Sequence, residues 1–208
     1  MKKNTIAADL VYSSKEKFAY IQLGKVGSSS VFRFLQNHTT LMRKPDSRHF
    51  KRSAYEFPLN NDFFKEINET HFTFMFVRNP WDRLVSFYGD KFREGFSKIH
   101  KISNPESICF KSFIEDFLIN DSVDTNKHWC VQSNFSFISE INFIGKVENL
   151  QEDFDIICDK IGIPQKQLPH KNKTKHKNYT EYYDDETRQI VAEKYAKDIE
   201  YFNYKFGE

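Results

Sequence analysis

The 208-residue chain lacks several features that would each announce a class of function. It has only three cysteines, Cys109, Cys130 and Cys158, and no CxxC pair. Three thiols cannot all pair with one another, which suits a reducing compartment, and the spacing of His128, Cys130 and a distant cysteine is wrong for zinc. Charge of neither sign dominates: 31 Lys and Arg against 29 Asp and Glu leave a net +2. That excludes the strongly basic footprint of a dedicated nucleic-acid binder. No apolar run approaches the roughly 18 residues of a membrane span. The stretch after Met1-Lys2-Lys3 soon meets Asp9 and is too polar for a signal sequence. The expectation is a soluble cytoplasmic protein with no membrane span.

What is present is aromatic. Phe, Trp and Tyr make up 16% of the chain, with 22 Phe, so the core is expected to be Phe-rich. The length fits one domain over 1–208. Phe18 to Leu23 reads as a buried strand, and Val31, Phe32 and Leu35 then recur at helical spacing with Arg33 and Gln36 turned away. Phe72 to Val77, aromatic and β-branched, is the strongest strand pattern. It runs into Arg78-Asn79-Pro80, where Asn79 can cap a helix and Pro80 can take its first turn. That helix carries Trp81, Leu84, Val85, Tyr88 and Phe92 on one face.

Further on, Phe110 to Ile119 reads as an amphipathic helix and Ile141 to Val147 as a strand. Leu150, Phe154, Ile157, Cys158 and Ile161 form a helical stripe that Gly162 and Pro164 stop. Pro169 to Lys177 reads as a loop, and Asp184 or Asp185 opens a last helix to about Ile199. The alternation of strand and helix implies an α/β fold with a mainly parallel central sheet flanked by helices.

Two segments carry chemistry. In "QLGKVGSSSVFRFL", residues 22 to 35, a Gly/Ser loop lies between a strand and a helix. Backbone N–H groups and a helix N-terminus converge there on one point, which makes a ready anion site. Lys25 adds a positive charge, Val26 and Gly27 bring the backbone close, and Ser28, Ser29 and Ser30 add hydroxyls. The order is not that of a nucleotide-triphosphate P-loop, and an ordinary serine-capped turn reads equally well from the loop alone. The second segment favours the anion. A P-loop kinase needs Mg²⁺, which an acidic residue at a strand end helps to hold. Here "FTFMFV" ends in Arg78, which recruits a second anion and repels a metal. Ser86 lies off the apolar stripe of the following helix and can share that anion. Two anion sites without a metal suit a nucleotide with phosphates at two separate positions.

"GKVGSSS" and "FVRNPWDRLVSFYGDKF" resemble the 5′- and 3′-phosphate motifs of the carbohydrate sulfotransferases that use 3′-phosphoadenosine-5′-phosphosulfate (PAPS). "HWCVQSNFSFISEINFIGKVENLQEDF" and "DIEYFNYKF" resemble later segments of the chondroitin and dermatan 4-O-sulfotransferase group. The likeness runs in order from about residue 18 to 206. The chain departs from many relatives in having Gly24 where they have proline before the lysine. The resemblance implies a P-loop-like sulfotransferase domain that moves the sulfuryl group of PAPS to a carbohydrate hydroxyl without a metal, leaving adenosine 3′,5′-bisphosphate. It places the 5′-phosphosulfate on residues 25 to 30 and the 3′-phosphate on Arg78 and Ser86. Lys25 then meets charge growing on the bridging oxygen.

A general base is drawn from the histidines. The resemblance points to the segment between the two phosphate motifs. His38 and His71 sit at remote ends of their elements, which leaves His49, with His128 second. Trp129 either stacks on a sugar or packs in the core. Glu148 and Asp153 read as helix support rather than bases. Lys171, Lys173, Lys175 and Lys177 form either a solvated loop or a cover over an anionic ligand. Two other readings stand beside this one: a P-loop-type small-molecule kinase, and an RNA-binding module.

Overall fold

The computed structural model describes residues 8–41, 61–89, 108–118, 128–169 and 177–208. The chain divides into two units, Met1–Val77 with Phe135–Lys171 and Arg78–Asn134 with Asn172–Glu208. In chain order the strands are β1 (Asp9–Ser13), β2 (Phe18–Gln22), β3 (Phe72–Val77) and β4 (Phe143–Lys146). The helices are α1 (Ser28–His38), α2 (Asn61–Thr70), α3 (Pro80–Phe87), α4 (Phe110–Ser112, continued as a π-helix over Phe113–Leu118), α5 (Leu150–Ile161), α6 (Asp185–Lys194) and α7 (Ala196–Phe202).

The first unit is built on a sheet of order β1-β2-β3-β4. β1 pairs antiparallel with β2, while β2–β3 and β3–β4 are parallel. The fold is therefore α/β with a mainly parallel sheet, and α2 and α5 pack against it. β2 and β3 are mostly apolar and buried because they are central, with Gln22 and Thr73 their only polar residues. Tyr20 and Phe74 sit opposite one another in the register, and their rings stack at 4.9 Å. Such a pair contributes about 0.5–1.5 kcal/mol beyond its buried area. Crowding shows next door: a Cβ on Gly145 of β4 would come within 2.5 Å of the Phe76 ring. Only glycine lets β4 close on β3 there.

On α1, Val31, Phe34 and Leu35 are buried, while Arg33 and Gln36 are exposed as the pattern implied. Phe32, expected on the buried face, is only partly covered. It is turned by about 100° from Val31, whereas Phe34 lies over the preceding turn and meets Phe154 of α5 edge-on at 5.0 Å. α5 stops as expected. Gly162 adopts φ 71°, and the Ile163 N–H donates to the Cys158 carbonyl at 3.0 Å, a Schellman closure.

In the second unit the Asn79 side chain accepts from the Trp81 N–H at 3.2 Å, with Pro80 in the first turn. α3 is buried on more than its apolar stripe, since Arg83 and Ser86 are covered along with Trp81, Leu84 and Val85. The expected regular helix from Phe110 instead widens after its first turn. The segment winds as a π-helix over Phe113–Leu118, and Phe113 and Leu118 are both buried in the core. The strand expected over Ile141–Val147 narrows to Phe143–Lys146, with Val147–Asn149 turning into α5.

The last expected helix is two. Asp184 caps α6 through the Thr187 N–H at 2.8 Å. That N–H, the Thr187 hydroxyl and Lys111 hold the Asp184 carboxyl down at about 2. The helix breaks at Tyr195, a buried residue whose hydroxyl donates to the Trp129 carbonyl at 2.5 Å. Tyr195 is the cap residue between α6 and α7, at φ −112° and ψ 22°. Phe92, His49 and most of the lysine-rich stretch from Pro169 lie outside the described residues.

Candidate active site

The loop from Leu23 to Gly27 joins β2 to α1. Two of its residues are left-handed, Lys25 at φ 67° and Gly27 at φ 70°. A left-handed backbone is expected of glycine and uncommon for lysine. At Gly27 a Cβ would also lie 2.8 Å from Leu150 Cδ2, so a side chain there would have to displace Leu150 as well as adopt the left-handed backbone. The loop is braced from below, where the buried Gln22 donates from Nε2 to the Ser28 carbonyl at 3.2 Å. Lys25 is half-buried, Val26 fully buried, and Ser28 and Ser30 largely buried, with Ser29 more open.

α1 begins without a side-chain cap and without an acidic residue in its first turn. The positive end of an eleven-residue helix therefore has no carboxylate of its own on it. Capping serines, the alternative explanation of the Ser28-Ser29-Ser30 run, are not what the geometry shows, since the N-cap position is Gly27.

The parallel register decides what lies near this loop within the first unit. Ala19 pairs with Thr73 and Ile21 with Met75, so the carboxyl ends of β2 and β3 share one sheet edge. Val77 pairs with Lys146, which brings the end of β4 there too. Ligands of open parallel sheets bind outside this edge. Asp153 takes the Lys146 N–H on Oδ2 at 2.6 Å, the supporting role expected of it.

The same register removes His71. It precedes β3 at the opposite edge, where burial and Lys17 hold its imidazole below the ordinary range. His38, at the far end of α1, stacks on Phe34 at 4.2 Å, with Nδ1 2.9 Å from the Phe34 carbonyl.

Arg78 follows β3 directly and belongs to the second unit. Its Nε donates to Asp82 Oδ2 at 2.7 Å, one helical turn away. This bond orients the guanidinium. The buried Gln132 brackets its backbone, accepting the Arg78 N–H on Oε1 at 3.0 Å and donating from Nε2 to the Arg78 carbonyl at 2.9 Å. Asn79 is pinned as well, its Nδ2 donating to the Lys205 carbonyl at 2.9 Å. Ser86 lies two turns into α3 and is 5% exposed.

His128 is half-buried, with its ring 6.0 Å from that of Phe87, the residue after Ser86. Trp129 is core: it is 3% exposed and meets Phe87 edge-on at 4.7 Å. Of the two readings of Trp129, its burial favours packing in the core. Thus Arg78, Ser86 and His128 belong to one unit, and Lys25 to Ser30 to the other. Among the described residues no three His, Cys, Asp or Glu side chains converge as metal ligands would, and no helix is long and apolar enough to cross a membrane.

Residue types alone did not mark Gln132. A glutamine 54 positions from Arg78 gives no periodic signal, and only the fold makes them neighbours.

Comparison with known proteins gives the site its context. The model of the sulfotransferase family matches residues 8–205. Carbohydrate sulfotransferase 14 of Danio rerio is 25% identical over 189 residues, covering 79% of this chain and 51% of its own length. Human carbohydrate sulfotransferase 9 is 31% identical over 147 residues, covering 60% of this chain and 32% of its own. An uncharacterized protein of Archaeoglobus fulgidus is 29% identical over 121 residues, covering 58% of this chain and 92% of its own. The chain thus spans about half the length of the first of these and a third of the second. No solved structure matches. A family match over nearly every residue, joined to an uncapped helix behind a Gly/Ser loop and an arginine at the end of the central strand, leads to one statement: the chain belongs to the sulfotransferase family.

Proposed function

We propose that the protein transfers the sulfuryl group of PAPS to a hydroxyl of a carbohydrate acceptor. The observation that carries this reading is the β2–α1 loop. Its left-handed Lys25 and Gly27 lead into a helix with no side-chain cap hydrogen bond and no acidic residue in its own first turn. Each unit is read by itself as offering donors for one phosphate of a doubly phosphorylated nucleotide. Helix N–H groups, three serine hydroxyls and Lys25 suit the 5′-phosphosulfate, while Arg78 and Ser86 suit the 3′-phosphate. Glycan acceptors come from the names of the two carbohydrate sulfotransferase relatives.

In the reaction an acceptor oxygen attacks sulfur in line as the bond from sulfur to the bridging phosphate oxygen breaks. Adenosine 3′,5′-bisphosphate leaves, and the hydroxyl proton passes to a histidine. Catalysis of this kind is chiefly positioning and charge stabilisation. Lys25 stabilises the leaving bridging oxygen. The base is His49 or His128, and substituting each in turn decides between them.

The protein should bind adenosine 3′,5′-bisphosphate in EDTA and prefer it clearly to 5′-AMP and to ATP. Titration calorimetry checks this. Equal affinity for 5′-AMP contradicts the 3′-phosphate assignment, and a requirement for Mg²⁺ with ATP favours a kinase instead.

A further inference from the structure

We propose that Gln132 is a positioning residue for the 3′-phosphate, acting through Arg78 and held in place by the buried carboxylate of Asp198. The inference rests on the reading above, in which Arg78 meets that phosphate. Its observations come from the second unit alone.

An arginine that follows the last residue of a strand has no further ladder to fix its backbone. Gln132 supplies the missing partner. Its side-chain amide offers one acceptor and one donor, as a peptide group does, and both backbone groups of Arg78 use them. The φ and ψ at Arg78, and hence the root of the guanidinium, are set by this bracket. Asp82 then sets the far end of the same side chain.

A glutamine can do this only if its own amide is held the right way round. Asp198 ensures that. It is 0% exposed and accepts on Oδ2 from the Gln132 backbone N–H at 2.9 Å and from Gln132 Nε2 at 3.2 Å. Its Oδ1 accepts the Ser133 N–H at 2.7 Å. A carboxylate accepts and never donates, so the face of Gln132 toward Asp198 must be the NH₂, and Oε1 is left to receive the Arg78 N–H. Swapping the amide would set oxygen against oxygen at Asp198 and nitrogen against N–H at Arg78. Three stretches far apart in sequence, "VRNPW", "CVQSN" and "KDIEY", are joined into one device that aims a single guanidinium.

The discriminating variant is Gln132→Met, which is close in shape and removes the bracket while keeping the packing. Its readout is the affinity for adenosine 3′,5′-bisphosphate against that for 5′-AMP, a ratio that a general loss of structure does not change. We expect the bisphosphate to bind about tenfold more weakly, from the loss of two backbone hydrogen bonds, with 5′-AMP affinity unchanged. On an Arg78→Ala background the same change should have no further effect on the bisphosphate, because the group it aims is gone. Equal loss for both nucleotides, or an undiminished effect without Arg78, overturns the positioning role alone. A wild-type protein that does not distinguish the two nucleotides overturns the 3′-phosphate reading and this inference with it.

Discussion

Lys25→Ala should slow single-turnover transfer at saturating PAPS by roughly 10²–10³, the size expected for losing one preorganised electrostatic donor. The reason is where the charge develops. On the proposed mechanism Lys25 acts on negative charge that develops on the bridging oxygen only as the S–O bond breaks, so its loss should appear in the rate more than in donor affinity. In the proposed site the helix N-terminus and Ser28 to Ser30 should still hold the 5′-phosphate in the variant. Lys25→Arg should restore part of the rate, since a planar fork does not place its charge where a compact ammonium does.

The backbone adds a control. Lys25 is left-handed at φ 67°, a conformation that a Cβ disfavours and glycine accepts. Lys25→Gly should therefore lose as much rate as Lys25→Ala while being no less stable. If alanine leaves the rate near wild type, Lys25 has no catalytic role and the left-handed turn is only a way out of the strand.

Arg78→Ala should weaken binding of adenosine 3′,5′-bisphosphate roughly ten- to a hundredfold, since a charge-assisted contact is worth about 1.5–3 kcal/mol. The rate at saturating donor should change much less, because the 3′-phosphate is remote from the breaking bond. Asp82 complicates the arithmetic usefully. It pairs with Arg78 Nε at 2.7 Å, so removing the arginine leaves a carboxylate that repels the phosphate. Arg78→Ala combined with Asp82→Ala should recover part of the lost affinity, and the difference isolates that repulsion. Unchanged binding in Arg78→Ala, with a collapsed rate, would move the arginine from the 3′-phosphate to the reacting group.

Legibility of this fold in its sequence followed burial. β3 keeps the bounds read from its pattern, Phe72–Val77, because a central parallel strand is apolar on both faces. The Asn79 cap, Pro80 and the Gly162 stop were equally plain, since each is a local backbone requirement. β1 left no such mark. It is an edge strand, "DLVYS", with polar residues at both ends, and only pairing with β2 gives it structure. The break at Tyr195 was hidden too, since nothing local marks a residue whose hydroxyl partner, Trp129, lies 66 positions away.

The candidate site divides in the same way. Loop and arginine stand in short runs whose residue types suggest anion binding. Gln132 and Asp198 do not, because an amide and a carboxylate far apart in the chain carry no chemistry until the fold joins them. Ser86 shows the limit of a helical wheel. It lies off the apolar stripe yet is buried, because α3 is covered on more than one side.

The most direct test of the central claim is transfer itself. The full chain, in EDTA, is given PAPS carrying a labelled sulfuryl group and a panel of glycan acceptors. The account predicts label on a carbohydrate hydroxyl with one adenosine 3′,5′-bisphosphate released per transfer. Binding of PAPS with no label on any glycan, or phosphoryl transfer from ATP that depends on Mg²⁺, would contradict it.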